Sequence, residues 1–294
     1  MAQLKQGEVY FFDLNGDEVG NELVEIKWSA EAAEKGGYKH FMKKEIHEQP
    51  KAVADTLASV LKDGNIDLAE MGLCEEEIKE IESITIVACG SAWHVGMTGQ
   101  YVFEDIAKIP VRVELASEFR YRKPLLSKKQ LVMVISQSGE TADSLADLRL
   151  AKEKGCKTLG IVNVVGSSIA READYVFYTL AGPEIAVATT KAYSAQLMAM
   201  YCIALQFAKA RCEIEQNEYT HLIEELQSIP VKIEKILDDK ERIQWFASKC
   251  VNKKDVFFVG RGIDYAVCLE GILKLKEISY IHSEAYAAGE LKHG

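Results

Sequence analysis

Three hydroxyl side chains fall within six residues in the segment SQSGET (136–141). The segment lies between the apolar run LVMVI and a helical pattern, so it joins a strand to a helix. A helix start offers unpaired N–H groups and a positive dipole end, which favour an anion. The segment therefore predicts a site for a phosphate monoester, with Ser136, Ser138 and Thr141 as donors and Gly139 allowing close approach. A plain helix cap is the structural alternative.

A second group of ionisable side chains lies near the end of the sequence: Lys274, Glu277, His282, Glu284, Glu290, Lys292 and His293. Lys274 and Glu277 are three residues apart and share one face of a predicted helix. A glutamate could move a proton between adjacent carbons of an open-chain sugar, and a histidine could open the ring. From spacing alone, an exposed ion pair is the simpler interpretation of Lys274 and Glu277. A lone histidine near the end, such as His293, is usually not catalytic.

Alternating strands and helices must position these groups. Five β-type runs, each except the last separated from the next by a helical or turn segment, predict an α/β fold with a doubly wound parallel sheet. Ligands of such sheets bind at the carboxyl ends of the strands. Cys89-Gly90-Ser91 ends one strand and adds a weaker glycine turn, in which Cys89 is interpreted as a buried small residue. The runs are TIVAC (85–89), VRVELA (111–116), LVMVIS (131–136), TLGIVNV (158–164) and YVFYTLA (175–181).

The sequence before and after these five predicted strands has other patterns. Residues 8–19 predict a hairpin turning at Asn15-Gly16. Residues 30–80 have helical periodicity, and Pro50 is expected in a first helical turn or at a break between helices. Long helices are expected after Thr190, including a buried one.

The sequence also repeats itself at a shift of 172 residues. VACGSAWHVG (87–96) matches VGRGIDYAVC (259–268), and ASEF (116–119) matches AGEL (288–291). Coincidence between two βα units is the alternative. The second copy stops soon after the second match, so we expect the natural protein to continue.

Composition excludes several classes of function. The net charge of −10 argues against nucleic acid as a partner. Seven cysteines without a CxxC pair argue against zinc and disulfides and suit the cytoplasm. The sequence has no P-loop, no signal peptide and no apolar stretch long enough to span a membrane.

The motifs SQSGETADSLADLRLAKEKG, ASEFRYRKPLL and LKLKEISYIHSEAYAAGELKHG resemble the sugar isomerase (SIS) domains of the glucosamine-6-phosphate synthases, or glutamine–fructose-6-phosphate aminotransferases. KGGYKHFMKKEIHEQP resembles the linker after their glutaminase domain. The resemblance implies a three-layer αβα SIS domain that converts fructose 6-phosphate to glucosamine 6-phosphate without metal or organic cofactor. It divides the chain into a glutaminase remnant (1–30), a helical linker (31–82), a first SIS domain (83–215) and an incomplete second one (216–294).

The resemblance also implies residue roles. Glu277 would shuttle a proton between C1 and C2, Lys274 would assist at the sugar hydroxyls, and His293 would open the ring. In the family that histidine reaches the neighbouring subunit's site, so a homodimer is expected. Ala92 replaces a usual hydroxyl residue, which leaves one sugar contact in doubt. The residues expected to bind the sugar phosphate are Ser91, Ser136, Gln137, Ser138, Thr141 and Val187.

The glutamine-hydrolysing cysteine and the Schiff-base lysine of the family lie outside this sequence. The chain alone is therefore expected to be incomplete for catalysis. A non-catalytic SIS sensor of sugar phosphates is the first alternative. An enzyme that cleaves sugar-phosphate–amine adducts is the second, and the linker motif argues against it.

Overall fold

The computed structural model describes residues 1–20 and 34–293. Helices and strands alternate through most of that part of the chain. In order they are β1 (Ala2–Lys5), β2 (Glu8–Phe11), α1 (Phe41–Ala58), β3 (Leu61–Lys62), β4 (Asn65–Ile66), α2 (Glu75–Glu80), β5 (Ser83–Ala88), α3 (Gly90–Ile106), β6 (Val111–Leu115), α4 (Ala116–Phe119), β7 (Gln130–Ser136), α5 (Ala142–Glu153), β8 (Lys157–Val162), α6 (Ser168–Glu172), β9 (Tyr175–Tyr178), α7 (Lys191–Ala210), α8 (Gln216–Asp238), α9 (Lys240–Cys250), β10 (Asp255–Gly260), α10 (Ile263–Ser279) and β11 (His282–Ala287).

A five-stranded parallel sheet forms the centre, in the order β6-β5-β7-β8-β9. Side chains of the central strand β7 alternate between two apolar cores, with Met133 on one face and Val134 on the other. Strands buried on both faces read as continuous apolar runs, which is why LVMVIS was recognisable. The predicted α/β parallel sheet is confirmed.

Helices cover both faces of this sheet. Residues of α1, α3, α7 and α8 contribute to the larger core, and residues of α4, α5 and α6 contribute to the smaller one. Most of α7 is buried, because its alanines and other apolar residues leave almost no polar face. The predicted buried helix and the three-layer architecture are confirmed.

The internal repeat is present in the structure. A shift of 172 residues carries β5 (83–88) onto β10 (255–260), and α3 and β6 onto α10 and β11 to within one residue. Strand register is preserved as well, since the pair Ile84↔Val111 corresponds to Val256↔Ser283. Both pairs are parallel. The two βα units are therefore copies of one structural motif.

The N-terminal hairpin is only partly as predicted. The turn at Asn15-Gly16 forms and is closed by an isolated bridge between Phe12 and Glu18. The regular strands β1 and β2, however, pair around Gln6-Gly7, a turn that the sequence analysis missed. Residues 21–33 of the expected remnant and linker lie outside the described residues, and the domain boundaries stay predictions.

The prediction for Pro50 is wrong, because this residue lies inside α1. A proline there cannot donate to the carbonyl four residues earlier. The side-chain amide of Gln49 donates to that carbonyl, on Ile46, at 3.0 Å and replaces the missing bond. The continuous helical pattern is also interrupted, since a short hairpin of β3 and β4 separates α1 from α2.

Two further observations concern only the described part of the chain. None of its helices has an apolar stretch long enough to cross a bilayer. Nor do its His, Cys, Asp and Glu side chains form a group of three or more that could hold a metal ion.

One carboxyl group is buried in the smaller core. Asp147 of α5 is 0% exposed, and no side chain of the described residues donates a hydrogen bond to its carboxylate. Burial raises the pKa of Asp147 from 3.8 to about 7, although the charge of Arg120 acts in the opposite direction. The folded protein therefore favours the protonated acid.

We expect the Asp147→Asn variant to gain stability over wild type as the pH rises from 4 to 7. In that window the unfolded wild type has released the proton that the folded state still holds, so its folding free energy is weakened. Asparagine does not titrate. Chemical denaturation of both proteins at several pH values measures the difference. Asp105→Asn, at an exposed carboxylate, is the control, and a stability difference that does not change with pH would contradict the assignment.

Candidate functional site

A cavity of about 230 Å³ opens at the carboxyl ends of β5 and β7. It brings together eight of the nine predicted site residues, and His293 is the exception. It is lined by Cys89, Ser91, Ala92, Ile135, Ser136, Gln137, Ser138, Thr141, Val187, Thr189, Gln196, Lys274 and Glu277.

The predicted phosphate segment forms a compact turn, which we call the hydroxyl turn (136–141). The backbone N–H of Gly139 donates to Ser136 Oγ at 3.0 Å, and the N–H of Glu140 donates to Ser138 Oγ at 3.2 Å. Ser136 Oγ also lies 2.9 Å from Thr141 Oγ1. A serine oxygen that accepts from the backbone keeps its own proton to donate. The turn thus presents hydroxyl donors at the start of α5, which suits an anion.

The neighbouring 166–168 segment supports this turn from behind. Gly139 has φ +66°, and a β-carbon there would lie 2.0 Å from Ser167 Oγ, so only glycine fits. Its carbonyl accepts from the N–H of Ile169 at 3.0 Å. The Glu140 carboxylate accepts from the N–H of Ser168 at 2.7 Å, and this bond lowers the pKa of Glu140. These two hydrogen bonds tie the hydroxyl turn to the start of α6.

Lys274 and Glu277 of α10 line the same cavity as the hydroxyl turn. They form the predicted ion pair on α10, with side chains 18% and 38% exposed. The sequence analysis favoured an ordinary surface pair from spacing alone. The structure instead places this pair in the wall of the cavity.

Two buried residues behind this wall were missed. Glu270 is 6% exposed and accepts a hydrogen bond from Ser91 Oγ at 2.8 Å. Its Oε2 lies 2.7 Å from His94 Nδ1. Lys274 Nζ lies 3.6 Å from Oε1, the oxygen that Ser91 binds. Glu270, Lys274 and Glu277 are spaced i, i+4, i+7, a helical face that could have revealed Glu270. This carboxylate connects α3 with α10 at the site.

The loop before α7 forms the third wall. Glu184 accepts from the N–H groups of Thr190 at 2.8 Å and Ala192 at 3.2 Å, and from Thr189 Oγ1 at 2.5 Å. A carboxylate in this position satisfies free N–H groups at the helix start. Val187 lies in the same loop, with its side chain fully exposed. Thr189 was not predicted as a site residue.

The remaining candidates contribute little polar chemistry. Ala92 presents only a methyl group to the cavity, at the position where the resemblance implied a hydroxyl. Burial raises the pKa of the Cys89 thiol, so this side chain is a poor nucleophile. His293 lies in an exposed 3-10 turn (Leu291–His293) and does not line the cavity.

The arrangement separates two kinds of chemistry within one cavity. Hydroxyl and N–H groups at one end can hold an anion without metal. A lysine and a carboxylate at the other end can orient hydroxyls and move a proton. Among the described residues that line the cavity, these two carry the only formal charges.

Comparisons with known proteins agree with this geometry. The family model described as "SIS domain" matches residues 77–206 and 249–294. The glutamine–fructose-6-phosphate aminotransferase (isomerizing) of Caldanaerobacter subterraneus subsp. tengcongensis is 56% identical over 295 residues, which cover 100% of this chain and 48% of that protein. The protein of that name from Clostridium tetani is 57% identical over 287 residues, which cover 97% of this chain and 47% of that protein. The chain thus spans about half the length of these relatives.

One solved structure has a fold similar to that of this chain. The C-terminal domain of glucosamine-fructose-6-phosphate aminotransferase from Francisella tularensis superimposes with a TM-score of 0.85 and 44% identity. The match covers 89% of this chain and 73% of that one. The chain therefore belongs to the SIS-domain family and, within it, groups with the C-terminal domains of the glucosamine-fructose-6-phosphate aminotransferases.

Proposed function

We propose that the chain is the isomerase part of a glutamine-dependent fructose-6-phosphate aminotransferase. It binds fructose 6-phosphate, which the full-length enzyme converts to glucosamine 6-phosphate. The phosphate occupies the hydroxyl turn, with Ser136, Gln137, Ser138 and Thr141 around it. The sugar chain extends toward α10.

One observation carries this proposal: the hydroxyl turn and the Lys274–Glu277 pair line the same open cavity. A phosphate bound at the turn places the far end of a six-carbon sugar toward the ion pair. Glu277 then accepts a proton from C1 of the open-chain sugar and returns it at C2. Lys274 stabilises the charge that develops on the sugar oxygens.

Three further contacts complete the proposal. Ser91, held by Glu270, hydrogen-bonds the sugar, and the backbone of Val187 contacts it at the cavity mouth. His293 opens the sugar ring from a neighbouring copy of the chain, which requires a homodimer. Its position in an exposed turn away from its own cavity supports a role in trans.

A non-catalytic sugar-phosphate sensor would need only the hydroxyl turn. The carboxylate of Glu277, placed at the opposite wall and paired with a lysine, has no part in phosphate binding. This observation favours the isomerase over the sensor.

We expect the Ser138→Ala variant to bind glucosamine 6-phosphate about tenfold to a hundredfold more weakly than wild type. A hydrogen bond to a charged group contributes about 1.5–3 kcal/mol, and the variant loses one such donor. Isothermal titration calorimetry measures both affinities. Ser228→Ala, at an exposed serine of α8, should bind like wild type. Equal binding by wild type and Ser138→Ala, or no binding by wild type, would count against the phosphate site.

A second variant separates binding from chemistry. Glu277→Gln should keep its affinity for fructose 6-phosphate within about threefold, because the phosphate contacts are untouched. In the full-length enzyme carrying the same substitution, exchange of the C1 proton with deuterated water, followed by NMR, should slow by about a hundredfold or more once the base is removed. Glu284→Gln, at an exposed position of strand β11, is the matched control. Exchange at the same rate in wild type and Glu277→Gln would remove Glu277 from the proton transfer.

A further inference from the structure

Helix α1 holds the loop that forms the third wall of the cavity. Glu45, in the second turn of α1, is 2% exposed although it carries a carboxylate. Its Oε1 accepts from the backbone N–H of Ile185 at 2.6 Å and from the N–H of Ala186 at 3.1 Å. These two amides directly precede Val187, which lines the cavity. A carboxylate more than 130 residues away therefore fixes the backbone at the cavity mouth.

Further residues on the same face of α1 reach the same segment. Glu48 pairs with Lys191 at 2.7 Å, and Gln49 accepts from Ser194 Oγ at 2.6 Å. Residues 45, 48 and 49 are spaced i, i+3, i+4, so they lie side by side on the helix. Glu45 therefore binds the loop itself, whereas Glu48 and Gln49 bind the first turn of α7 that follows it.

The direct effect on the site comes from Glu45. Glu48 and Gln49 bind residues within α7, whereas Glu45 binds the irregular backbone between the helix and the sheet. Irregular backbone is free to move unless its polar groups are paired. The N–H groups of Ile185 and Ala186 both donate to one buried carboxylate oxygen, and hydrogen bonds to carboxylates are stronger than those between neutral groups.

We infer that Glu45 is a positioning residue for sugar-phosphate binding: its carboxylate holds the 185–186 backbone so that Val187 and Thr189 keep their places in the cavity wall. This inference rests on the proposed function, because it assumes that the cavity binds a sugar phosphate. Glu45 itself does not touch the ligand. It acts through the loop, so its removal weakens sugar contacts while the hydroxyl turn stays intact.

Three variants of the full 294-residue chain test this inference. Glu45→Ala removes the acceptor, Glu45→Gln keeps an amide oxygen in its place, and Asp55→Asn removes a carboxylate from an exposed ion pair on the same helix. Hydrogen–deuterium exchange measured by mass spectrometry follows the peptide that contains residues 184–189. Calorimetry with glucosamine 6-phosphate gives the affinity, and circular dichroism checks that each variant is folded.

We expect exchange at the 184–189 peptide to be about tenfold faster in Glu45→Ala, with affinity about tenfold weaker. Glu45→Gln should restore most of the protection from exchange and most of the affinity. Asp55→Asn should match wild type in both measurements. If Glu45→Ala weakens folding of the whole chain, Glu45→Gln still decides, because it retains the acceptor and the helix.

Two outcomes would overturn the inference. The first is unchanged exchange at residues 184–189 in Glu45→Ala, and the second is faster exchange with unchanged affinity. Failure of wild type to bind glucosamine 6-phosphate is a different result. It would reject the proposed function and with it the role of Glu45 in binding, whereas the exchange data would still report whether Glu45 fixes the loop.

Discussion

The candidate site depends on one buried carboxylate that joins two distant parts of the chain. Glu270 accepts from Ser91 on α3 and approaches Lys274 on its own helix, α10. A charge with so little exposure is tolerated only when its oxygens are paired. Its pairing with Ser91 and His94 therefore requires that α3 and α10 stay packed together. This contact therefore fixes the Lys274–Glu277 pair beside Ser91 in the lining of the cavity.

The opposite wall follows from a backbone constraint. The turn after β7 needs a positive φ at Gly139 and no β-carbon toward Ser167. Once glycine meets both demands, the hydroxyl oxygens of Ser136 and Ser138 accept from the turn's own N–H groups, which fixes their positions. Binding groups fixed in this way lose little freedom when a ligand arrives. One wall thus relies on tertiary pairing and the other on local geometry.

This difference explains what the sequence could predict. The strands were recognisable because apolar runs such as residues 131–136 are buried on both faces, and the hydroxyl turn because its residues are contiguous. Glu45 escaped notice because its partners lie far along the chain. Glu270 also has distant partners, and its helical spacing with the Lys274–Glu277 pair was the local signal that could have revealed it. Pro50 was misplaced because a proline usually interrupts a helix, whereas here the neighbouring side chain of Gln49 replaces the missing bond. Contiguous chemistry can be read from sequence, whereas chemistry assembled by packing cannot.

The repeated βα units divide the side chains of the cavity between two equivalent helices. In the first copy the helix start supplies Ser91, while the equivalent place in the second copy is Ile263. In the second copy the helix end supplies Lys274 and Glu277, which correspond to Val102 and Asp105 in the first. The two copies thus contribute their side chains from opposite ends of the equivalent helix. Neither copy carries both groups, so the cavity needs both copies.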